Sequence, residues 1–208
     1  YLIANKLLEN SEDENIIEIA FSNVEFKALK DIKVALTGAK CEFFINNTLY
    51  PTWQTYSIKA GDIIKVGKIE EGARVYFGVK GGFDIKKEFG SNSTTLKEKL
   101  GGINADRLQK GQILESKKIN EFYNIRLKEK FVPKYEDTLE LRVILSYQDE
   151  FFPKEEIAKF FSSSYTVSNE FNRMGCKLQG EPVSCNIDGI ISEGIGFGSI
   201  QIPSDGQP

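Results

Sequence analysis

Histidine is absent from the 208 residues of this sequence. Without imidazole there is no Ser-His or Cys-His nucleophile pair, no HExxH zinc site and no imidazole acid–base catalyst. Any catalysis must therefore use Asp, Glu, Lys, Arg or Tyr side chains, or backbone groups. The pattern GxxxxGK[ST] is also absent, which excludes a Walker-type ATP site within this sequence.

Cysteine, basic charge and long apolar runs are scarce as well. The three cysteines, Cys41, Cys176 and Cys185, show no CxxC spacing, so we expect neither a disulfide framework nor a metal site. This favours a reducing compartment, the cytoplasm. A net charge of -3 argues against nucleic-acid binding. No apolar run has spanning length and the first ten residues do not read as a signal peptide, so we expect no membrane association.

Alternating apolar and polar residues dominate what is present. Seven short runs rich in β-branched and aromatic residues predict strands: IIEIAF, VEFKAL, IKVALTG, EFFI, TYSIKA, DIIKVG and ARVYFGVKGG. Close spacing of such runs is typical of a β-barrel or sandwich. Tight hairpins are expected at 46–47 and at 60–62. Short helices are expected at 1–10, 94–100 and 153–163.

The strand pattern breaks between residues 128 and 138. The stretch KEKFVPKYEDT is charged and contains a proline, and the sequence LELRVILSYQDEFFPKEEIAKFF after it predicts a strand and a helix that open a second module. We therefore expect two domains, 1–130 and 131–208.

Three segments combine glycine with small polar residues: 79–96, 162–178 and 190–208. Glycine at a strand end lets backbone N–H groups approach an anionic ligand closely, although each segment taken singly is more typical of a turn. In the first segment, Ser93 and Thr94 either bind a ligand or cap the helix expected at 94–100.

The other two segments hold side chains suited to an amide substrate. Arg173 has five fixed donors for a carboxylate or phosphate, with tethering of a neighbouring loop as the alternative. Glu193 and Asp205 are candidate general bases, and turn formation or helix capping is the alternative for Asp205. The amides of Gln201 and Gln207 match the paired carbonyl and N–H of an amide or lactam.

Three motifs in order carry a resemblance: GVKGGFDIKKEFGSNSTTL, YTVSNEFNRMGCKLQG and ISEGIGFGSIQIPSDGQP. Together they resemble the biotin-dependent carboxyltransferase or allophanate hydrolase subunit 2 family, whose free-standing bacterial members are the KipA-like 5-oxoprolinase C subunits. The resemblance extends over practically the whole chain, and Asn5 matches an Asn in the family's early helix. Many relatives read G-S-R-S-T where this chain has Asn92, so the role of that Arg is absent or supplied elsewhere.

The resemblance implies a mainly β fold of two cyclophilin-like β-barrel modules with a few short helices. In the family the DGQP turn leads into a further strand, and residues precede the helix matched at Tyr1. On this comparison we expect the chain to be truncated at both ends.

The resemblance also implies a function: the C subunit of a heteromeric ATP-dependent 5-oxoprolinase, which opens the lactam of 5-oxo-L-proline to give glutamate. The implied partners are the KipI-like B subunit and the A subunit of 5-oxoprolinase, with ATP and Mg shared with the partner. Carried over to this sequence, the family motifs place Arg173 on a substrate carboxylate or phosphate and Asp205 in proton handling or amide N–H recognition. Gln201 and Gln207 would orient the substrate, while Glu193 and Asn5 are weaker candidates.

Two other functions stay open. Related chains inside urea carboxylase transfer a carboxyl group from biotin, so a carboxyltransferase module that binds biotin is one alternative. A non-catalytic KipA-like protein that binds and regulates a partner is the other. The absence of an MKM biotin-attachment motif favours the 5-oxoprolinase reading.

Overall fold

The structure is a computed structural model that describes residues 1–20, 23–116, 123–136, 140–171, 174–187, 189–191 and 193–208. Within these ranges the chain is mainly β. Two short helices are present, α1 (Leu2–Leu7) and α2 (Lys154–Ser162). The strands are β1 (Ile17–Ala20), β2 (Val24–Lys27), β3 (Ile32–Ile45), β4 (Thr48–Leu49), β5 (Thr55–Ile58), β6 (Ile63–Val79), β7 (Thr166–Phe171) and β8 (Cys176–Gln179).

The contacts divide the chain into two compact units, Tyr1–Leu139 and Glu140–Pro208. The charged stretch at 128–138 of the sequence predicts this boundary earlier, after residue 130. Single 3-10 turns occur at Glu129–Phe131 in the first unit and Asp149–Phe151 in the second.

The first unit is built on the two long strands β3 and β6, which pair antiparallel along most of their length. Strands β1 and β2 pair with β6, whereas β4 and β5 pair with β3, so the described strands of this unit form one sheet. The pairing shifts register next to Gly38, whose φ of 101° is open to glycine. The expected runs IKVALTG and EFFI therefore belong to one continuous strand, as do DIIKVG and ARVYFGV.

One face of this sheet carries the hydrophobic core. Its buried residues come mainly from β3 and β6, which alternate inward positions with a period of two. The central members are Val34, Leu36, Phe43, Ile64, Val66, Val75, Phe77 and Val79. On the opposite face α1 packs Leu7 and Leu8 against Ala35. Packing on both faces explains why every residue of β3 from 33 to 39 is buried.

Of the two expected hairpins, one is confirmed. Asn46 and Asn47 both have positive φ and join β3 to β4, as a two-residue hairpin requires. The turn at 60–62 also forms, with the Asp62 N–H donating to the Lys59 carbonyl at 3.0 Å. It is not a hairpin, however, because the strands it joins, β5 and β6, pair with β3 and β2.

The helix expected at 94–100 is wrong. Thr95 and Leu100 exchange two backbone hydrogen bonds of 2.9 and 3.2 Å, which close a tight loop instead of an i to i−4 ladder. Lys99 adopts a positive φ of 53°, incompatible with a right-handed helix. The helices expected near the start and at 153–163 are confirmed as α1 and α2.

The second unit contains α2 and the β7–β8 hairpin. The strand expected in LELRVILSY is wrong for its described part, 140–147, which pairs with no described strand. The stretch FGSIQI near the end also alternates apolar and polar residues and likewise pairs with no described strand. Ile144, Ile191 and Phe197 are almost fully exposed, and a strand needs a neighbour for its backbone hydrogen bonds and one covered face.

Cys41 on β3 offers a test of this packing. Burial raises the pKa of its thiol to about 11, with further contributions from Glu70 and Glu42. Because the thiolate is the nucleophile, we expect native Cys41 to alkylate roughly 100-fold more slowly at pH 8 than an ordinary thiol. Iodoacetamide labelling followed by peptide mass spectrometry measures this against the exposed Cys176 and Cys185. Equal rates in the native protein would contradict the packing, and denaturant should bring the three rates together.

Candidate functional site

Asp205 lies in a turn of the second unit beside strand β8. The Gly206 N–H donates to the Pro203 carbonyl at 2.9 Å and closes this turn. One Asp205 carboxylate oxygen lies 2.9 Å from the Lys177 ammonium, and the other accepts the Gln207 N–H at 3.1 Å. The Lys177 hydrogen bond, followed by the Gln207 N–H, lowers the pKa of Asp205 below its usual range. The exposed carboxylate is thus an anion and an acceptor at neutral pH.

Gln207 is held by the backbone next to β8. Its Oε1 accepts the Gly180 N–H at 2.9 Å and its Nε2 donates to the Gly180 carbonyl at 3.2 Å. The Leu178 N–H donates to the Pro208 carbonyl at 2.7 Å, and the Val183 N–H to the Gly206 carbonyl at 2.9 Å. Through these contacts the Gln207 amide fixes the turn that carries Asp205. This is a positioning role, in addition to the substrate-orienting role that the sequence predicts for Gln207.

Gly206 is required by the shape of this turn. Its φ is +70°, and a Cβ built there would lie 2.9 Å from both the Pro182 Cβ and the Val183 carbonyl oxygen. Contacts under 3.0 Å force a shift of backbone, since neither neighbour is the end of a flexible side chain. Any side chain at Gly206 would push the turn away from residues 182 and 183.

Glu193 has a different environment within the same unit. Its carboxylate accepts hydrogen bonds from the Tyr147 hydroxyl and from the Gln148 Nε2, the latter at 3.0 Å. The bond to Glu193 raises the pKa of Tyr147. Glu193 is exposed, and in these contacts it tethers the stretch 193–202 to residues 147 and 148.

Two residues of this unit that the sequence predicted for the site, Gln201 and Arg173, have no described contact with the other candidate residues. Gln201 is exposed in a stretch without regular structure. Arg173 lies outside the described residues, so its predicted role stays a prediction.

Asn5, in the first unit, is fully buried in α1. Its Nδ2 donates to the Glu14 carbonyl at 2.8 Å, and its Oδ1 accepts from the Asn10 Nδ2 at 3.1 Å. The Asn10 amide in turn donates to the Val79 carbonyl at 2.9 Å. Asn5 therefore connects α1 to the chain that follows it and to the end of β6, and it is not exposed to a ligand.

Ser93 and Thr94 are exposed in a loop of the first unit. Since 94–100 is a loop, neither residue caps a helix. Asn92, at the position of the Arg found in many relatives, donates to the Ile85 carbonyl at 2.7 Å. Asn92 also lines a polar cavity of about 200 Å³ between residues 11–15 and 83–92. Neither Ser93 nor Thr94 is among the residues that line it.

Lys177, the partner that holds Asp205 as a carboxylate, was not predicted from the sequence. Nor were Tyr147 and Gln148, which bind Glu193. Each pair is separated by 28 or more residues in the sequence, so no local pattern marks it. The only signal for Lys177 is a basic residue within the strand that follows Met174-Gly175.

The described residues contain no group of three or more His, Cys, Asp or Glu side chains arranged to hold a metal ion. Within the same ranges, no helix is long and apolar enough to cross a membrane.

A comparison with known families gives a match over residues 1–208 to the carboxyltransferase domain, subdomain A and B. The chain belongs to this family. The resemblance found in the three sequence motifs is thereby confirmed, and the match includes the Asp205 turn.

The curated relatives of this chain fall into two groups. The chain is 28% identical to the C subunit of 5-oxoprolinase from Haemophilus influenzae over 206 residues, and 29% identical to that of Escherichia coli over 207 residues. These alignments include 98% and 99% of this chain but 65% and 66% of the relatives. The urea amidolyase of Saccharomyces cerevisiae is 27% identical over 189 residues, which is 86% of this chain and 10% of that protein.

Solved structures show the same fold. The crystal structure of the K. lactis urea amidolyase superposes with a TM-score of 0.81 at 22% identity, covering 90% of this carboxyltransferase-family chain and 12% of that chain. The Kluyveromyces lactis urea carboxylase gives a TM-score of 0.79 at 21% identity, covering 90% of this chain and 18% of that one. The chain thus spans less than two thirds of each of these relatives.

Proposed function

We propose that this chain acts as the C subunit of a heteromeric ATP-dependent 5-oxoprolinase, which opens the lactam of 5-oxo-L-proline to give glutamate. The supporting observation is the match to two free-standing proteins, each named as the C subunit of 5-oxoprolinase, over nearly all of this chain and about two thirds of theirs. By contrast, the chain matches only a tenth of the Saccharomyces urea amidolyase. The name of these relatives also supports partners, which we propose to be the KipI-like B subunit and the A subunit, in the cytoplasm.

Asp205 is the side chain best suited to the lactam N–H. Its exposed carboxylate is kept ionised by Lys177 and by the Gln207 N–H, so it accepts a hydrogen bond and is not a proton donor at neutral pH. A carboxylate placed on the amide N–H orients the ring and handles the proton on that nitrogen. In the proposal Arg173 binds the substrate carboxylate, as the family motif implies, and Gln201 supports orientation.

We propose that ATP and Mg bind at a site shared with the partner subunits, as the family resemblance implies. Phosphates require several free cations or a glycine-rich loop at a helix start, whereas the cation next to the candidate site, Lys177, is already held by Asp205. The described residues also offer no acidic cluster for a metal ion. The partner subunits would therefore supply the other phosphate and metal ligands of this shared site.

A second candidate function is a carboxyltransferase module that acts with biotin. It is favoured by the family's name and by the urea amidolyase relative. In this reading the same Asp205 turn faces a different N–C=O group. A third candidate, a non-catalytic KipA-like regulator, predicts tight binding to a partner without turnover.

Glutamate release distinguishes these functions. We expect the full-length protein, mixed with its B and A partners, to release glutamate from 5-oxoproline only when ATP is present. Omission of this protein should abolish the release, because the proposed lactam site is then incomplete. The measurement is an enzymatic glutamate assay on the reconstituted complex, with the assembly checked by size-exclusion chromatography.

Each outcome of the glutamate assay supports or contradicts one of the three candidate functions. An assembled complex that releases no glutamate would overturn the 5-oxoprolinase proposal. Biotin binding by that complex would then support carboxyl transfer, and its absence would support the regulatory function.

A further inference from the structure

Lys33 is a buried lysine in the first unit, whereas the residues proposed for the lactam belong to the second unit. It lies on β3 and is only 1% exposed. Lysine is almost never fully buried unless it is paired. Among the described residues, however, the ammonium nitrogen of Lys33 makes no hydrogen bond or ion pair, and its described contact is the ring of Tyr123, whose centroid lies 4.3 Å away.

The nearby carboxylate is already engaged. Glu9, just after α1, accepts hydrogen bonds from the Tyr123 hydroxyl and from the Lys80 ammonium, the latter at 3.3 Å. Lys80 also donates to the Glu9 carbonyl at 3.2 Å. Lys33 therefore lies beneath the ring of Tyr123. The charges near it are the Glu9 carboxylate and the Lys80 ammonium, which are hydrogen-bonded to each other.

Burial shifts Lys33 toward the uncharged amine. Burial is the largest influence and lowers the pKa of Lys33, the charge of Glu9 opposes it, and the smaller influence of Lys80 adds to the lowering. Desolvation and a neighbouring cation are the two conditions that turn a lysine into a nucleophile. Lys59 provides the opposite case, since it forms an exposed 2.7 Å ion pair with Asp31 that raises its pKa.

We propose that Lys33 is a carbon dioxide site, where its amine reversibly forms a carbamate. The ammonium first releases one proton to solvent and becomes the amine. The amine nitrogen then bonds to the carbon of CO₂, one C–O π pair becomes the lone pair of an oxyanion, and one N–H proton of the amine passes to solvent. One amine and one CO₂ thus give one carbamate anion and one proton, without any other reactant. Dissolved CO₂ in equilibrium with bicarbonate supplies the reactant.

The small accessible surface over Lys33 and the charges near it favour CO₂ as the electrophile. The cover over Lys33 leaves almost no accessible surface, so a linear triatomic molecule reaches the amine more readily than an organic carbonyl compound. Carbamate formation replaces a poorly solvated cation with an anion beside Lys80, the arrangement in which charges of opposite sign stabilise one another. Glu9 remains bound by Tyr123 and Lys80, which limits its repulsion of the new anion.

The test traps the carbamate chemically on the full-length protein. The protein is equilibrated with ¹³C-labelled bicarbonate at pH 8, alkylated with triethyloxonium ion, digested and analysed by peptide mass spectrometry. We expect ethyl carbamate on Lys33 at an occupancy at least about tenfold above that on Lys59. The occupancy should rise with pH as the amine loses its proton, then fall as CO₂ is consumed by conversion to bicarbonate and carbonate.

Two variants separate the proposal from simple burial. Lys80→Met removes the stabilising cation and should lower the Lys33 occupancy severalfold, whereas Lys59→Met should leave it unchanged. Both are followed by circular dichroism, because neither side chain is part of the core. Absence of a labelled Lys33 peptide, equal labelling of Lys33 and Lys59, or an unchanged occupancy in Lys80→Met would each overturn the proposal.

Discussion

Replacing Asp205 with Asn is expected to lower glutamate release by the reconstituted complex about 100-fold or more while the complex stays assembled. The substitution keeps the size of the side chain but removes the negative charge that Lys177 holds in place at 2.9 Å. An amide can still accept a hydrogen bond, but it has no charge with which to hold the lactam N–H and cannot exchange a proton with that nitrogen. The measurement is the steady-state rate, with complex formation followed by size-exclusion chromatography.

Replacement of Lys177 tests the same carboxylate through the pH dependence of the rate. Because Lys177 is the main cause of the lowered pKa of Asp205, Lys177→Met should raise that pKa toward the usual value. The carboxylate is then lost at a higher pH, so the acidic limb of the pH–rate profile should move upward in pH. At neutral pH the variant should keep more activity than Asp205→Asn.

Matched controls keep these results specific. Asp149→Asn makes the same change at an exposed position of the second unit and should leave the rate unchanged. Arg173→Ala should also abolish turnover if the family motif carries over. Near-normal activity of both Asp205→Asn and Arg173→Ala would show that the site is assigned to the wrong residues.

Local rules predicted the parts of the fold that depend on neighbouring residues. The Asn46–Asn47 hairpin was predictable because Asn tolerates the positive φ that a two-residue turn demands. Helix α2 was predictable from Pro153 at its start and from the acids of its first turn. The alternating runs located the strands of the first unit for the same reason, since inward and outward positions follow the pleat.

The two errors have different causes, one local and one that depends on distant residues. The helix expected at 94–100 fails because Lys99 takes a positive φ and Thr95 bonds to Leu100, a local competition that helix propensity does not describe. The strand expected at 139–147 has suitable residues, but a strand forms only where a neighbour completes its hydrogen bonds, and the described chain offers none there.

The candidate site shows the same limit. The sequence motifs indicated Asp205 and Gln207, but not Lys177, because an ion pair across 28 residues leaves no periodic trace. Asn5 illustrates the reverse case. A polar residue that matches a family motif was a reasonable ligand candidate, yet its amide is consumed by the backbone of Glu14 and by Asn10. A matched residue in a motif can therefore hold the fold instead of a ligand.

Gly206→Ala is expected to reduce both the activity and the stability of the second unit. An L-residue at φ of +70° costs about 1–3 kcal/mol, and the added Cβ would lie within 3.0 Å of Pro182 and Val183. The turn must move, which breaks the bond from the Val183 N–H to residue 206 and displaces the adjacent Asp205. We expect glutamate release to fall at least tenfold, together with faster amide exchange in the segment 174–187, measured by hydrogen–deuterium exchange.

Gly111→Ala separates the two causes of this loss. Gly111 has a similar φ of +87°, but nothing lies within 4 Å of the Cβ that would be added there. Alanine at this position therefore has the free-energy cost of the positive φ without a steric clash. Gly111 is also remote in sequence from the Asp205 turn. We expect Gly111→Ala to lose about 1–3 kcal/mol of stability and no activity. If Gly206→Ala kept full activity and normal exchange at residues 178 and 183, the turn would not position Asp205, and the role of that carboxylate in the site would have to be abandoned.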